Sequence, residues 1–302
     1  MPIIVTMTDM NTKIADTKTA RAIDIRCKNC FARYYNRLFD KYQVGEDQRI
    51  YFHLLFNEVM FKYKSLSRPE IQQRLDERAC ELIGLDDPFE TEKAQSNSEA
   101  MGLYVRWKNK VLESPEPFNV ALRLAIAGNI MDFGAAGNFD VTETIHKVLS
   151  SEFAIDESLA LKKKISQAKK ILYLGDNAGE IVFDRLFIET IMHNDVTYVV
   201  KGRPILNDVT FEDAEAVGMN LVADVVSNGH GAPSTIVKKC SRQFQKLYEE
   251  ADLIISKGQG NLEGLLEYKD PRVFFLLMVK CEVIAEVLEV KKGDFVVYNA
   301  NY

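Results

Sequence analysis

At four places in this chain a short apolar run ends and side chains able to do chemistry follow at once. The run ILYL at 171 to 174 stops at Gly175 and hands over to Asp176 and Asn177. VTYVV at 196 to 200 leads to Lys201, Asn207 and Asp208; VADVV at 222 to 226 leads to Asn228, His230 and Ser234; DLIIS at 252 to 256 leads to Lys257 and Asn261. Two aspartates and an amide are hard oxygen ligands, suited to Mg or Mn or to a borderline ion such as Co or Ni. Lysines with glycine-rich backbone amides, here Gly258 and Gly260, suit a phosphate. No Ser-His-Asp or Cys-His arrangement accompanies them. The combination points to metal-assisted phosphoryl transfer to water.

Each group also has a purely structural use. Asn177 with Glu180 three residues on, and Thr210 with Asp213, have capping-box spacing. Gly258 and Gly260 permit a tight turn, and a histidine in a glycine-rich loop, as His230 is, reads as a surface residue. GQGNLEG at 258 to 264 has the glycine spacing of a nucleotide-binding loop, but it comes late in the sheet and lacks the acidic partner such a loop needs. A covalent aspartyl phosphatase of the haloacid dehalogenase type needs a second aspartate two residues after the first, and position 178 is alanine.

The elements that must position these groups follow from hydrophobic rhythm. Strands are expected at 171–174, 196–200, 222–226, 252–256, 273–278 and 295–298, with helices at 178–192, 210–217, 235–249, 261–267 and 280–289. Such alternation builds a doubly wound, mainly parallel α/β sheet in three α/β/α layers, with the strands' C-terminal ends, and the loops above, along one edge. Earlier, from Cys27 to about Leu149, apolar residues recur at helical steps (Phe31, Tyr34, Tyr35, Leu38, Phe39; Tyr51, Leu54, Leu55, Val59; Ile71, Leu75, Cys80, Leu82), broken at Gly45, Ser67–Pro69, Asp86–Pro88 and Ser114–Pro117. The expected division is a helical N-terminal domain, 1–150, and an α/β domain, 151–302. Near the end of the helical part, Asn129 and Asp132 stand beside Gly128 and Gly134 on an apolar helix, where they either satisfy loose backbone groups or reach toward the second domain.

Composition narrows the function class. A formal charge of −6 over 302 residues gives no basic face for nucleic acid. No apolar stretch has the length of a membrane span, and the first residues carry no secretory pattern, so a cytoplasmic protein is expected. Five cysteines favour reduced thiols. Cys27 and Cys30 form a CKNC pair at the start of a helix with both thiols on one face; with no second CxxC and no histidine at ligand spacing, they read as structural or incidental thiols. Cys80, Cys240 and Cys281 read as small core residues.

Taken together, GDNAGE (175–180), KGRPILNDVT (201–210), SKGQGN (256–261), AGNIMDFG (127–134), DPFETEK (87–93) and CKNC resemble the damage-control phosphatase family, formerly domain-of-unknown-function family 89, with the CxxC and GDNAGE similar to its subfamily I. The resemblance covers about residues 20 to 302. It implies a metal-dependent phosphatase with a helical N-terminal domain on an α/β/α domain, acting on small phosphorylated metabolites that are damaged or surplus. It also implies one divalent ion held by Asp176, Asn177 and Asp208. On this basis Lys257 and the amides of Gly258 to Gly260 are expected to hold phosphate oxygens, with Glu180, Lys201, Asn207 and Asn261 completing the substrate set. Asn129 and Asp132 would close the pocket, Asp132 orienting water. The alternatives are a nucleotide-binding module without catalysis and a carboxyl methyltransferase.

Overall fold

The computed structural model describes residues 24–62, 66–128 and 141–300, and for 141–144 and 146 the backbone only. The chain divides into two compact units, Met1–Gly84 and Leu85–Tyr302.

The first unit contains three described helices, α1 (Ile25–Lys41), α2 (Glu46–Lys62) and α3 (Arg68–Ile83). Its core is aromatic: Tyr35, Phe39 and Phe52 are fully buried, with Phe52 centred 4.9 Å from Tyr35 and 4.8 Å from Phe39. Helix α3 begins with a capping box between Ser67 and Glu70 and ends at Gly84, whose φ of 79 supplies the left-handed turn. The expected breaks at Gly45 and Asp86–Pro88 fall between helices and that at Ser67–Pro69 falls at the start of α3, but the buried face of α2 differs from the expected one. Phe52, Phe56 and Val59 are buried, whereas Tyr51 and Leu54 are exposed. Apolar and polar side chains are mixed around that helix rather than gathered on separate faces, so periodicity alone could not choose its inner face.

The second unit is a seven-stranded sheet of order β1-β7-β6-β5-β2-β3-β4, formed by β1 (Ile155–Asp156), β2 (Ile171–Leu174), β3 (Val196–Val200), β4 (Asp224–Ser227), β5 (Leu253–Lys257), β6 (Val273–Met278) and β7 (Phe295–Tyr298). Strands β2 to β6 are parallel; β7 is antiparallel to β6. One expectation is thereby corrected. The C-terminal end of β7, and of β1 paired parallel to it, lies at the opposite edge from the other five.

Alternate residues of each strand face two different cores, which is why the strands read as continuous apolar runs. One face carries Ile171, Tyr173, Tyr198, Ile255 and Phe274 against α4 (Glu90–Glu113), α5 (Pro117–Ala127), α6 (Val141–Ser150), α7 (Ser158–Gln167) and α8 (Glu180–Ile191). The other carries Leu172, Leu174, Ile254 and Phe275 against α10 (Arg242–Glu250), α11 (Gly258–Leu265) and α12 (Glu282–Leu288); α9 (Phe211–Ala216) lies between β3 and β4 in the chain. The fold is α/β in three layers, as expected. The division at Gly84 falls well before residue 150, because α4 and α5 bury Trp107, Leu122 and Ile126 in the same core as the sheet.

Candidate active site

The site is built where β2 ends. Gly175 sits so close to β3 that a Cβ there would lie 2.5 Å from Tyr198 Oη, so only glycine lets the chain turn out of the sheet at this point. The next residues, Asp176 to Ala178, form a short strap against the loop after β3. Ala178 N–H donates to the Asn207 carbonyl at 2.9 Å, Val209 N–H donates to the Asp176 carbonyl at 2.9 Å, and Asn177 and Asp208 are antiparallel bridge partners. The neighbouring, parallel placement of β2 and β3 makes this pairing reachable. It brings Asp176, Asn177 and Asp208 together, all three on backbone held by hydrogen bonds.

Burial shapes their chemistry. Asp176 is 7% exposed and Asp208 3%. Burial pushes the Asp176 carboxyl up, and the nearby Glu180 charge adds to the rise. Asp208 is pushed up by burial and by Asp176 despite the opposing charge of Lys201, whose Nζ lies 3.4 Å from Asp208 Oδ2. No well-directed hydrogen bond reaches that oxygen. A buried carboxylate oxygen left in this state is costly in a purely structural role.

Behind the strap lies a second, wholly buried layer. Asn177 Nδ2 donates to Asp176 Oδ2 at 2.6 Å and to Glu180 Oε2 at 3.2 Å. The Lys257 ammonium donates to Glu180 Oε1, to Asp184 Oδ1 at 2.5 Å and to the Ala125 carbonyl at 2.8 Å. Asp184 in turn accepts from Tyr173 Oη at 2.7 Å and Tyr198 Oη at 3.0 Å. Burial lifts the Asp184 carboxyl to about 6 against the pull of Lys257. For Lys257 burial works against the charged form, but Asp184 and Glu180 outweigh it and raise its pKa. Two sequence expectations are corrected here. Asn177 and Glu180 do not form a capping box: Gly179, with φ 77, precedes the helix instead, and Glu180 turns inward to Lys257. Lys257 does not stand ready for a phosphate, since its three N–H bonds already have three acceptors.

The glycine-rich segment after β5 also has a packing role. A Cβ on Gly258 would fall 1.9 Å from Asp176 Oδ2, and one on Gly260 2.3 Å from the Pro233 carbonyl. Asn261 is a clamp: Nδ2 donates to the carbonyls of Gly175 and Lys257, and Oδ1 accepts from Lys201 Nζ at 3.1 Å and Thr235 Oγ1 at 2.9 Å. Asn207 contributes its carbonyl to the strap and is half-buried. His230 accepts from Ala232 N–H at 3.1 Å within its own loop. Asn129 and Asp132 lie outside the described residues.

Cys27 and Cys30 stand in the first two turns of α1 and are not joined in a disulfide, Cys27 accepting from Arg68 Nη1 at 3.4 Å. Cys240 is buried as expected, while Cys80 and Cys281 are only half-buried.

Three contributors were not singled out by sequence reasoning. Asp184 looks like an ordinary polar residue of an amphipathic helix. Lys280, exposed two residues beyond β6, lowers the pKa of both Asp176 and Asp208 by its charge. The third is a brace: Asn97 Oδ1 accepts from Gly179 N–H at 2.7 Å, Asn97 Nδ2 donates to Asp213 Oδ1 at 2.9 Å, and Lys93 bridges Asp213 and Asp87. The brace gives the DPFETEK segment its structural meaning, since Asp87 and Lys93 belong to it. Asp213 also forms the expected capping box with Thr210.

The sequence model of the damage-control phosphatase ARMT1-like domain matches residues 5–296. The chain belongs to this family. It is 34% identical over 280 residues to a damage-control phosphatase of Pyrococcus horikoshii, covering 91% of this chain and 96% of that protein. With a damage-control phosphatase of Archaeoglobus fulgidus it shares 36% identity over 247 residues, 76% of this chain and 83% of the relative. The crystal structure of a family-89 protein from Pyrococcus horikoshii superposes with a TM-score of 0.85 at 32% identity, covering 92% of this chain and 99% of the other. Family membership thus coincides with a shared fold over nearly the whole length. Among the described residues no three His, Cys, Asp or Glu side chains converge as a metal cage. What this family member brings together is two carboxylates and an amide. No helix among the described residues is long and apolar enough to cross a membrane.

Proposed function

We propose that the protein is a metal-dependent phosphatase hydrolysing phosphomonoesters of small metabolites, sugar phosphates or phosphopantetheine-like compounds among them. The observation that carries this reading is the backbone pairing of Asn177 with Asp208, which gathers Asp176, Asn177 and Asp208 at the C-terminal edge of the sheet. The names of the relatives, damage-control phosphatases, support the same reaction class.

The donor set fits a divalent ion. Two carboxylates and an amide are hard oxygen ligands, and Asp208 Oδ2 is buried without a hydrogen bond. With Nδ2 of Asn177 committed to Asp176 and Glu180, its Oδ1 is the atom left to bind. Mn, Co, Ni and Mg all accept such donors. When bound, the ion supplies Lewis-acid polarisation of the phosphoryl group and activation of water.

The remaining work belongs to the chain. Lys257 neutralises Glu180 and Asp184 and so holds Glu180 where it fixes the Asn177 amide. Lys201, tied to Asn261, keeps positive charge beside Asp208. Gly258 leaves room for the Asp176 carboxylate.

A direct test incubates the purified protein with p-nitrophenyl phosphate and Mg, Mn, Co or Ni, with and without chelator. Phosphate release that chelator abolishes and metal restores is the expected result. Tight nucleotide binding without turnover under any metal, or methyl transfer from S-adenosylmethionine, would overturn it.

A further inference from the structure

The helix that follows the strap begins without the cap its sequence offers. Ile181 N–H donates to the Asn177 carbonyl at 3.2 Å, so Asn177 stands where an N-cap residue stands. From there its side-chain oxygen would ordinarily accept the N–H of Gly179 or Glu180. Gly179 N–H donates instead to Asn97 Oδ1, on α4 and far away in the chain, at 2.7 Å. The Asn177 amide is thereby left to face Asp176 and Glu180 through Nδ2. Gly179 is buried, so its N–H must find a partner within the protein.

Asn97 is itself oriented from behind. Its Nδ2 donates to Asp213 Oδ1 at 2.9 Å, and a carboxylate only accepts, so the amide oxygen is the end that meets Gly179. Asp213 Oδ2 accepts from Lys93 Nζ at 3.0 Å and from the N–H and the hydroxyl of Thr210, each at 2.9 Å. Thr210 follows Asp208 by two residues, and Gly179 follows Asn177 by two. One buried carboxylate thus ties down both arms of the strap, directly on one side and through Asn97 on the other.

We infer that Asn97 is a positioning residue for the metal site: by taking the Gly179 N–H it leaves the Asn177 side-chain oxygen to a divalent ion. The inference rests on the metal-site reading above. Without Asn97, the local acceptor for Gly179 N–H is Asn177 Oδ1, two residues back. An Asx turn between them withdraws that oxygen from the ion and pulls the amide away from Asp176 and Glu180. Asn97 acts through Asn177, and Asp213 through Asn97.

The test is calorimetric titration of Mn into four metal-free proteins, wild type, Asn97→Ala, Asn177→Ala and the double variant, with folding checked by circular dichroism. Asn97→Ala is expected to bind Mn about tenfold or more weaker than wild type. In the Asn177→Ala background the same substitution should change Mn affinity by less than about threefold, because no side-chain oxygen remains to be withdrawn. Asn97→Asp keeps an acceptor for Gly179 but sets a carboxylate against Asp213. It should melt below wild type yet bind Mn no more than about threefold weaker. A merely structural asparagine would lower the melting temperature in both Asn97 variants and leave the Mn affinity of the folded proteins alone. Mn affinity within about threefold of wild type in Asn97→Ala would overturn the inference, as would an equal loss in both backgrounds or a loss in Asn97→Asp as large as in Asn97→Ala. If Asn97→Ala does not fold, Asn97→Ser replaces it in the cycle, and failure of both to fold makes Asn97 a structural cap and overturns its positioning role. Wild type that binds no Mn overturns the metal-site reading itself, a result visible before any variant is made.

Discussion

The helical unit and the edge of the sheet bury their side chains on different terms. In the helical unit the buried side chains are Tyr35, Phe39, Phe52, Phe56, Leu75 and their apolar neighbours, with Asp76 the one buried charge among the described residues. None of its described side chains has a buried polar atom left without a hydrogen bond, whereas Asp208, Asn228, Ser234 and Ser256, all at or near the sheet edge, each have one. Apolar burial stabilises by about 1.5–3 kcal/mol per large side chain. Buried charge costs stability unless it is paired, and pairing often only breaks even. The first region is held by apolar contacts, the second by charged groups whose burial is offset only by pairing.

The largest effect expected from this contrast is on stability. Lys257→Met leaves Glu180 and Asp184 buried without their counter-charge and should cost about 3–5 kcal/mol. Phe52→Ala in the helical core should cost a similar amount, about 3–5 kcal/mol, by leaving a cavity. The two should part company with pH. Protonation of the stranded carboxylates relieves the Lys257 variant, so its loss should be smaller at pH 5 than at pH 8, while the Phe52 loss stays flat. Denaturant melts at both values measure this, and equal pH dependence would erase the contrast.

Next in size is Gly258→Ala. A Cβ there would collide with the Asp176 carboxylate at a φ of +76, so a loss of about 1–3 kcal/mol is expected, together with weaker metal binding. Unchanged melting and metal affinity would show that the strap has slack.

A smaller, pH-dependent effect separates Asp208 from an ordinary cap. In the metal-free protein, burial and Asp176 lift the Asp208 carboxyl from 3.8 to about 7. Between those values the folded state holds more protons than the unfolded, so stability is lost as pH rises toward 7. Metal-free Asp208→Asn lacks that loss. Its melting temperature should gain on wild type between pH 5 and pH 8, and a constant difference would contradict the burial argument. The smallest effect is expected in the helical unit, where replacing Cys27 and Cys30 together by serine should leave turnover within about threefold. Loss of bound metal in that variant, by elemental analysis, would refute it.

Much of this was legible in the sequence, for physical reasons that also explain the failures. Strands β2, β3, β6 and β7 read directly because both faces are covered and the runs are continuously apolar. Strand β4 was placed two residues early at its start, since Asp224 opens an edge strand that is only partly covered. Two-residue β1 has too little pattern to see. Lys257 reads as a loop residue in the sequence although it is the last residue of β5; in step with Leu253 and Ile255, its side chain is on the face covered by α8, where it meets Asp184. The boundary at residue 150 followed a change of rhythm, but rhythm reports secondary structure and not which core a helix joins. Lys280 stands in the short connection between β6 and α12, which has no glycine to mark it in the sequence.

The central claim is that Asp176, Asn177 and Asp208 form one divalent-metal site. Calorimetric titration of Mn into metal-free wild type and Asp208→Asn, with folding checked by circular dichroism, tests it most directly. The expected result is one ion per wild-type chain and an affinity lower by on the order of a hundredfold in Asp208→Asn at unchanged fold, with phosphatase activity falling in parallel and partly recovered by excess metal. Equal affinity in the two proteins, or a variant that no longer folds, would make Asp208 a structural cap and place the metal elsewhere.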